Sequence, residues 1–239
     1  MKITTQQAIS NQIGSSRFNT YLTAAKGKRI KALNLYLWNL EVAAAIISTT
    51  SIVEVNLRNT IDEALKNWNS AQSYVLVPGR STPYDRDWLA DPSPKLERVV
   101  APPRKPTLQQ TSRNSMKDIN GICTKPNPTH DDYVAGLTFG TWTSLLPKPN
   151  ATSASNIRVQ MWNEELKNHF AHDRYKVYEW ANTVRYARNR ASHLEPLLDV
   201  EELKKFHRAS VRLLNSMSPE TADWVAGREL LPKAVREKP

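Results

Sequence analysis

The string Arg188-Asn189-Arg190-Ala191-Ser192-His193 comes late in a stretch of helical periodicity that also carries Arg185. An imidazole that titrates near neutrality can take the proton of an RNA 2′-hydroxyl or give one to the leaving 5′-oxygen. An arginine adds permanent charge and paired hydrogen bonds for the phosphorane-like transition state. At 100° per residue, Asn189 and His193 fall about 40° apart on one helix face, with Arg188 about 140° from His193. A long guanidinium side chain reaches around that gap. The set fits RNA cleavage, with His193 as general acid or base, Arg188 on the phosphate and Asn189 orienting one of them. By itself an Arg-x4-His pair has little specificity, and its ordinary reading is a group of solvated charges that complement a helix carboxyl end.

Other clusters are weaker. Glu54, Arg58 and Asn59 stand at i, i+4 and i+5 in an otherwise apolar stripe. Facing water they make an ordinary Glu-Arg pair worth a few tenths of a kcal/mol; facing inward they are an orienting or catalytic cluster. His169, His172 and Asp173 have no second acidic cluster to complete a metal site and read as a helix end, and His130 reads as the lead-in to a helix. Lys204, Lys205, His207, Arg208 and Arg212 form a basic helix face that either tracks RNA phosphates or is merely solvated. Trp38, Trp142, Trp162 and Trp180 are core candidates before they are base-stacking platforms. No phosphate-cradling glycine loop, dinucleotide fingerprint, serine elbow or zinc-protease motif is present, so no cofactor and no metal is expected.

Composition narrows the partner. The 239 residues carry 33 Lys and Arg against 23 Asp and Glu, a net charge of +10, which favours a polyanion such as nucleic acid. A single cysteine, Cys123, excludes an internal disulfide framework and a multi-cysteine zinc site, and suits a reducing compartment. Met1 and Lys2 lead into Thr4, Thr5, Gln6 and Gln7 rather than an apolar stretch, and the longest apolar run, Val42 to Ile47, is too short to span a bilayer. A soluble, cytoplasmic protein without a membrane partner is expected.

The elements that must position these residues are helical. Glycine is scarce, at seven residues, and prolines crowd between Pro78 and Pro128. The pattern predicts one all-α domain: a helical block over 16–70, an irregular basic insertion over 78–130, a second block over 131–227, and a frayed polar tail over 228–239. Leu33, Leu37, Leu40, Ala44 and Ile47 set the core stripe of a first helix. Ile52, Val55, Leu57, Ile61, Ala64, Leu65 and Trp68 set that of a second, with Ser48 to Ser51 as the break between them. The insertion has room for a short helix around Leu108 to Ile122. Further on, Ser155 and Asp173 are expected N-caps, Asp199 with Glu202 a capping box, and Ser218 with Pro219 another helix start. Gly136 and Gly140 are expected to permit close packing.

Four strings, Leu35-Tyr36-Leu37-Trp38-Asn39, Val53-Glu54-Val55-Asn56-Leu57-Arg58-Asn59, Leu137-Thr138-Phe139-Gly140-Thr141-Trp142 and Arg188-Asn189-Arg190-Ala191-Ser192-His193-Leu194-Glu195-Pro196, resemble in order and separation the motifs of the Abi-like (abortive infection) proteins. That family belongs to the higher eukaryotes and prokaryotes nucleotide-binding (HEPN) superfamily. The resemblance spans about 33–198. It implies a HEPN-type helical bundle acting as a metal-independent endoribonuclease of phage-defence or toxin type. The products would carry 2′,3′-cyclic phosphate and 5′-hydroxyl ends. The family's Arg-x4-His motif falls on Arg188 and His193, with its polar residue at Asn189, and a homodimer would bring two such sets to one phosphate. An antitoxin or phage-derived regulator is implied as well. Many of these sequences have a second histidine where this chain has Leu194.

The expected site therefore comprises Arg188, Asn189 and His193, supported by Glu54, Arg58, Asn59 and Arg190, with RNA held by Arg185, Lys204, Lys205, Arg208 and Arg212. Arg98, Arg104, Lys105 and Arg113 of the insertion are candidates for substrate selection. The competing reading is a non-catalytic HEPN module that binds RNA or a partner protein. A nucleotidyl- or phosphotransferase lacks the acidic pair that would hold magnesium.

Overall fold

A computed structural model describes every residue except Leu76, Pro102 and Glu229, so Pro102 of the expected insertion and Glu229 of the expected tail lie outside it. Among the described residues there are helices and no strand, apart from one isolated antiparallel bridge between Lys117 and Cys123. The all-α expectation holds. In chain order the α-helices are α1 (Ile3–Ile13), α2 (Ser15–Ala24), α3 (Arg29–Ser70), α4 (Pro94–Val100), α5 (Leu108–Ser115), α6 (His130–Gly136), α7 (Phe139–Leu145), α8 (Ile157–Glu164), α9 (Arg174–Ser192), α10 (Val200–Met217), α11 (Pro219–Ala226) and α12 (Leu230–Arg236). A 3-10 turn, Leu166–His169, follows α8.

The spine is α3, 42 residues long, which at 1.5 Å per residue runs about 63 Å. It packs on α9 and α10, and those two pack on each other. By length and composition alone a stretch of α3 would suffice to cross a bilayer. Here its buried side chains lie against α2, α9, α10 and α12, the use a core helix makes of the same composition.

Two expectations about this helix are corrected. Ser48 to Ser51 do not break it: Thr49 and Ser51 donate their hydroxyls to the Ala45 and Ile47 carbonyls at 3.0 and 2.8 Å, and Thr50 reaches Ile47 at 3.3 Å. Hydroxyls bonded to the preceding turn need no other partner, so the helix runs on. The phase of the first stripe also differs. The buried face carries Leu35, Trp38, Val42 and Ile46, while Leu37 is 58% exposed and Ala44 faces outward.

The buried side chains form two clusters. One joins the amino-terminal half of α3 to α2, α12, Leu197, and the facing ends of α9 and α10. The other joins the carboxyl-terminal half of α3 to the 84–100 segment, to α6, α7 and α8, and to the remaining lengths of α9 and α10. Trp38, Trp142, Trp162 and Trp180 are buried as expected.

The proline-rich insertion is a structural part of that second core. Trp88 and Leu96 are fully buried and Tyr84 nearly so. Pro94 opens α4 from a position where its missing N–H costs nothing. Asn69, fully buried at the end of α3, donates to the carbonyls of Asp85 and Asp91 at 2.8 and 2.9 Å and accepts from the Ser93 N–H at 2.8 Å. Only Leu108–Ser115 of the expected 108–122 helix forms. At Gly136 an added Cβ would lie 2.3 Å from the Ser112 hydroxyl oxygen, so close packing there requires glycine; Gly140 has no such constraint.

At the other end the tail is a docked helix. Leu231 and Ala234 are buried, Trp38 donates its indole N–H to the Ala234 carbonyl at 2.7 Å, and Lys238 donates to the Leu198 carbonyl at 2.7 Å. Capping is largely as expected at Asp173, Asp199 and Ser218. Asn156 rather than Ser155 caps α8. Glu202 does not close a box with Asp199, because its carboxylate is bonded to Arg190.

Candidate functional site

Helix α9 starts on the Asp173 cap, whose carboxylate accepts from the N–H groups of Tyr175 and Lys176. Val177, Ala181, Val184, Ala187 and Ala191 form its buried face against α3 and α10. The motif occupies its last turn. His193 follows the helix as an exposed residue, and the chain then reverses at Leu194, which adopts a left-handed φ of +51°. The reversal is closed by Leu194 N–H to the Ala191 carbonyl and Glu195 N–H to the Arg190 carbonyl, each at 3.0 Å. Glycine usually occupies this position, and a side chain there costs about 1–2 kcal/mol.

Other contacts hold the turn against that strain. Asn39, fully buried on α3, donates to the Glu195 carbonyl at 3.2 Å and accepts from the Leu197 N–H at 2.6 Å. Leu197 is itself fully buried. Arg190 binds the Glu195 carboxylate at 3.0 Å, the Pro196 carbonyl at 2.6 Å, and Glu202. Its charge is therefore consumed in fixing the turn, which makes it a supporting residue and removes it from the free basic surface. His193 is left on an exposed edge with a fixed backbone behind it.

Arg188, half-buried, lies on the side of α9 that faces Glu54 of α3. Burial pushes the Glu54 carboxyl above its ordinary value; Arg188, the Phe139 N–H and Arg58 pull it down, and burial prevails. The Nε of Arg58 is buried without a hydrogen-bond partner. Among the described residues no ion pair within 4 Å joins Glu54 to either arginine, so of the two readings left open for Glu54 and Arg58 the surface pair does not form. Asn59, four residues after Val55, is exposed, and Asn189 is half-buried. The outcome is a carboxyl held partly out of water within the field of two guanidinium groups, one of which, Arg58, keeps a buried donor without a partner. An anionic oxygen arriving here would meet two arginines already stripped of some of their water.

A second polar cluster lies two turns further along α3 and was not anticipated. His130, the first residue of α6, touches Asp62 through Nε2 and Asp87 through Nδ1, both at 2.7 Å. Asp62 also accepts the Trp88 indole N–H at 2.8 Å and binds Lys66 at 2.7 Å. Burial pushes Asp62 up, but the bonds from His130, Lys66 and Trp88 outweigh it and leave it below its ordinary value. Burial likewise pushes His130 down, and its two carboxylate partners outweigh that, leaving it raised. Both ring nitrogens are occupied, so this histidine has no free nitrogen with which to move a substrate proton.

The basic residues divide into two groups. On α10, Lys204 pairs with Glu201 at 2.7 Å, and Lys205 and Arg208 border a groove that also contains Glu179, Asp199, Glu201 and Glu202. Arg212 is exposed. Arg185 instead lies at a neighbouring cavity, which shares Tyr178 and Asn182 with that groove and contains Lys148 and Arg158 and no acidic residue. Arg98, Arg104, Lys105 and Arg113 are exposed on the insertion. Among the described residues no group of three or more His, Cys, Asp or Glu side chains is arranged to hold a metal ion, and His169 binds Glu165 at 2.9 Å. Sequence reasoning missed Asn39, Arg158, Lys148 and the His130 cluster; a buried-stripe asparagine was the one visible signal. Comparison with family models, with curated proteins and with solved structures gives no match to this chain.

Proposed function

We propose that this protein is a metal-independent endoribonuclease in which His193 moves the proton at the 2′-hydroxyl or the leaving 5′-oxygen and Arg188 stabilises the pentavalent phosphate. The observation that carries this reading is the Arg188 charge acting on the half-buried Glu54 beside the unpartnered Nε of Arg58, one turn before the exposed His193. Glu54 fits an orienting role. Its charge attracts Arg188 and Arg58 without a direct ion pair, which leaves both guanidinium groups able to meet a phosphate oxygen. Cleavage by the RNA's own 2′-oxygen leaves a 2′,3′-cyclic phosphate and a 5′-hydroxyl, and needs no metal.

The HEPN-type bundle, the phage-defence or toxin setting and control by an antitoxin or phage-derived regulator rest on the motif resemblance, and the cytoplasmic location on the single cysteine and the polar amino-terminal residues. A homodimer is supported by one further feature. Ile30, Leu37 and Val55 are exposed apolar residues that fall within about 20° of one another around α3. Pairing across that stripe would bring two Glu54–Arg58–Arg188 clusters toward each other.

The test is incubation of the purified protein and of His193→Ala with cellular RNA in excess chelator, followed by mapping of the new ends. Cyclic-phosphate ends made only by the unaltered protein are expected. Intact RNA with both forms, alongside RNA binding by both, would overturn the catalytic reading in favour of a binding module.

A further inference from the structure

One cavity, of about 700 Å³, lies between α7, α8 and α9 and the 147–156 loop. That volume is within the range of about 300–1,000 Å³ typical of small-ligand sites. Its charged residues are Lys148, Arg158 and Arg185, and none of its lining residues is acidic.

The arginines are not surface decorations. Arg158 is half-buried, with its Nε on the Ser144 carbonyl at 2.7 Å and no carboxylate partner. Burial pushes its pKa down, the mark of a cation held out of water without compensation. Arg185 has a buried Nε with no partner and only an amide contact, to Asn182 at 3.2 Å. A desolvated cation normally has an anion beside it, and here the protein supplies none.

The outer wall is built. Arg174 donates to the Ala151 carbonyl at 2.7 Å, Gln160 donates to the Ala154 carbonyl at 2.9 Å, and Asn156 caps α8 through the N–H groups of Arg158 and Val159. Tyr178 and Asn182 continue the lining along α9. Arg185 precedes Arg188 by three residues, about 4.5 Å along the axis and 60° around it. Of the α9 residues that line the cavity, Arg185 is therefore the nearest to Arg188.

We propose that this cavity is a phosphate subsite that binds a phosphodiester of the RNA chain next to the linkage being cut, through Arg158, Arg185 and Lys148. It rests on the ribonuclease reading for the identity of the chain, while the anion chemistry stands on the cavity itself. Arginine forks bind phosphate oxygens in pairs, and Asn182 and Tyr178 offer an amide and a ring to the adjoining base. Fixing a neighbouring phosphate would register the scissile one against Arg188 and His193.

The experiment is fluorescence anisotropy with a labelled, fully 2′-O-methylated oligoribonucleotide, which cannot be cleaved by 2′-oxygen attack. Wild type is compared with Arg158→Gln/Arg185→Gln and with Lys148→Ala, an exposed residue whose loss leaves the fold intact. Thermal melts check folding. The double variant is expected to bind at least about tenfold more weakly, with a salt slope smaller by about 0.7, the value for one phosphate, and Lys148→Ala to bind more weakly with a smaller change in slope. Unchanged affinity and slope in all variants would overturn the proposal. Inorganic phosphate and a nucleoside monophosphate are titrated as competitors. If either displaces the oligonucleotide at its own micromolar concentration, the site takes a free phosphomonoester and the RNA assignment is overturned. Because the readout is binding, weakened binding by the variants together with absence of cleavage by wild type would support the subsite while sinking only the ribonuclease reading.

Discussion

Two polar clusters sit on the same face-to-core helix, and they differ in one respect. Around Asp62, every hydrogen-bonding atom is matched: His130 uses both nitrogens, and Trp88 and Lys66 complete the carboxylate. Around Glu54, eight residues earlier and about 12 Å along the axis, the Nε of Arg58 is buried without a partner and burial holds the carboxyl above its ordinary pKa. A saturated cluster ties α3, the insertion and α6 together. In the proposed reading, the open one keeps bonding capacity for a ligand, and the unmet bond rather than burial of charge is what distinguishes the two.

The comparison breaks most sharply at Arg188 and Asp62. Arg188→Ala is expected to lower RNA cleavage by about 10²–10³-fold, by analogy with loss of one transition-state donor, with a melting temperature close to wild type. Asp62→Ala removes the partner of His130 Nε2, Lys66 and the Trp88 indole, leaving His130 with Asp87 alone, and is expected to cost about 3–5 kcal/mol of stability in denaturant unfolding. Cleavage per folded molecule should survive that change. If Arg188→Ala unfolds the protein instead, the open cluster is structural after all.

Asn39 is an intermediate case, since it is saturated but lies behind the motif. Asn39→Ala strands the Leu197 N–H and the Glu195 carbonyl, an expected loss of about 2–4 kcal/mol. Because the same bonds set the backbone after His193, cleavage should fall as well, which Asp62→Ala should not reproduce. Equal effects of the two variants on cleavage per folded molecule would remove the distinction between the two ends.

The pH dependence has a definite sign. His130 titrates higher in the folded protein than the ordinary 6.5, so its contribution is complete below that value and is lost as pH rises through the folded pKa. Asp62 titrates below its ordinary 3.8, so its contribution is present above that value and is lost as pH falls through the folded pKa. The clasp is at full strength from roughly pH 4 to 6.5. Melting curves of wild type and His130→Asn should differ most in that window and converge in mildly alkaline buffer. A gap that widens with rising pH would contradict the assignment. The smallest effect concerns the turn: Leu194→Gly relieves the left-handed strain and should raise stability by about 1 kcal/mol.

Local signals in the sequence carried far. Asp173, Asp199 and Ser218 cap helices because an N-cap acts through N–H groups two or three residues away. The core tryptophans and the motif at the end of α9 were legible for the same reason. The phase of α3 was not, because a spine helix covered on several sides carries apolar residues almost all round, and Leu37 and Ala44 fit a stripe as well as Trp38 and Val42 do. Prolines concealed the insertion's role in the core, since they forbid long helices but not the burial of Trp88. The tail was misread from its charges, although Leu231 and Ala234 already had helical spacing. His130 and Asp62 lie 68 residues apart, and Glu54 and Arg188 lie 134 apart. No spacing rule joins such pairs; only the packing of α3 against α6 and α9 does.

The most direct measurement is the cleavage rate of a defined single-stranded RNA in excess chelator by wild type, Arg188→Ala and His130→Asn, each below its melting temperature. The account predicts cyclic-phosphate products from wild type and His130→Asn at comparable rates per folded molecule, and none above background from Arg188→Ala. Equal cleavage by Arg188→Ala and wild type, or products that appear only when a metal is restored, would contradict it.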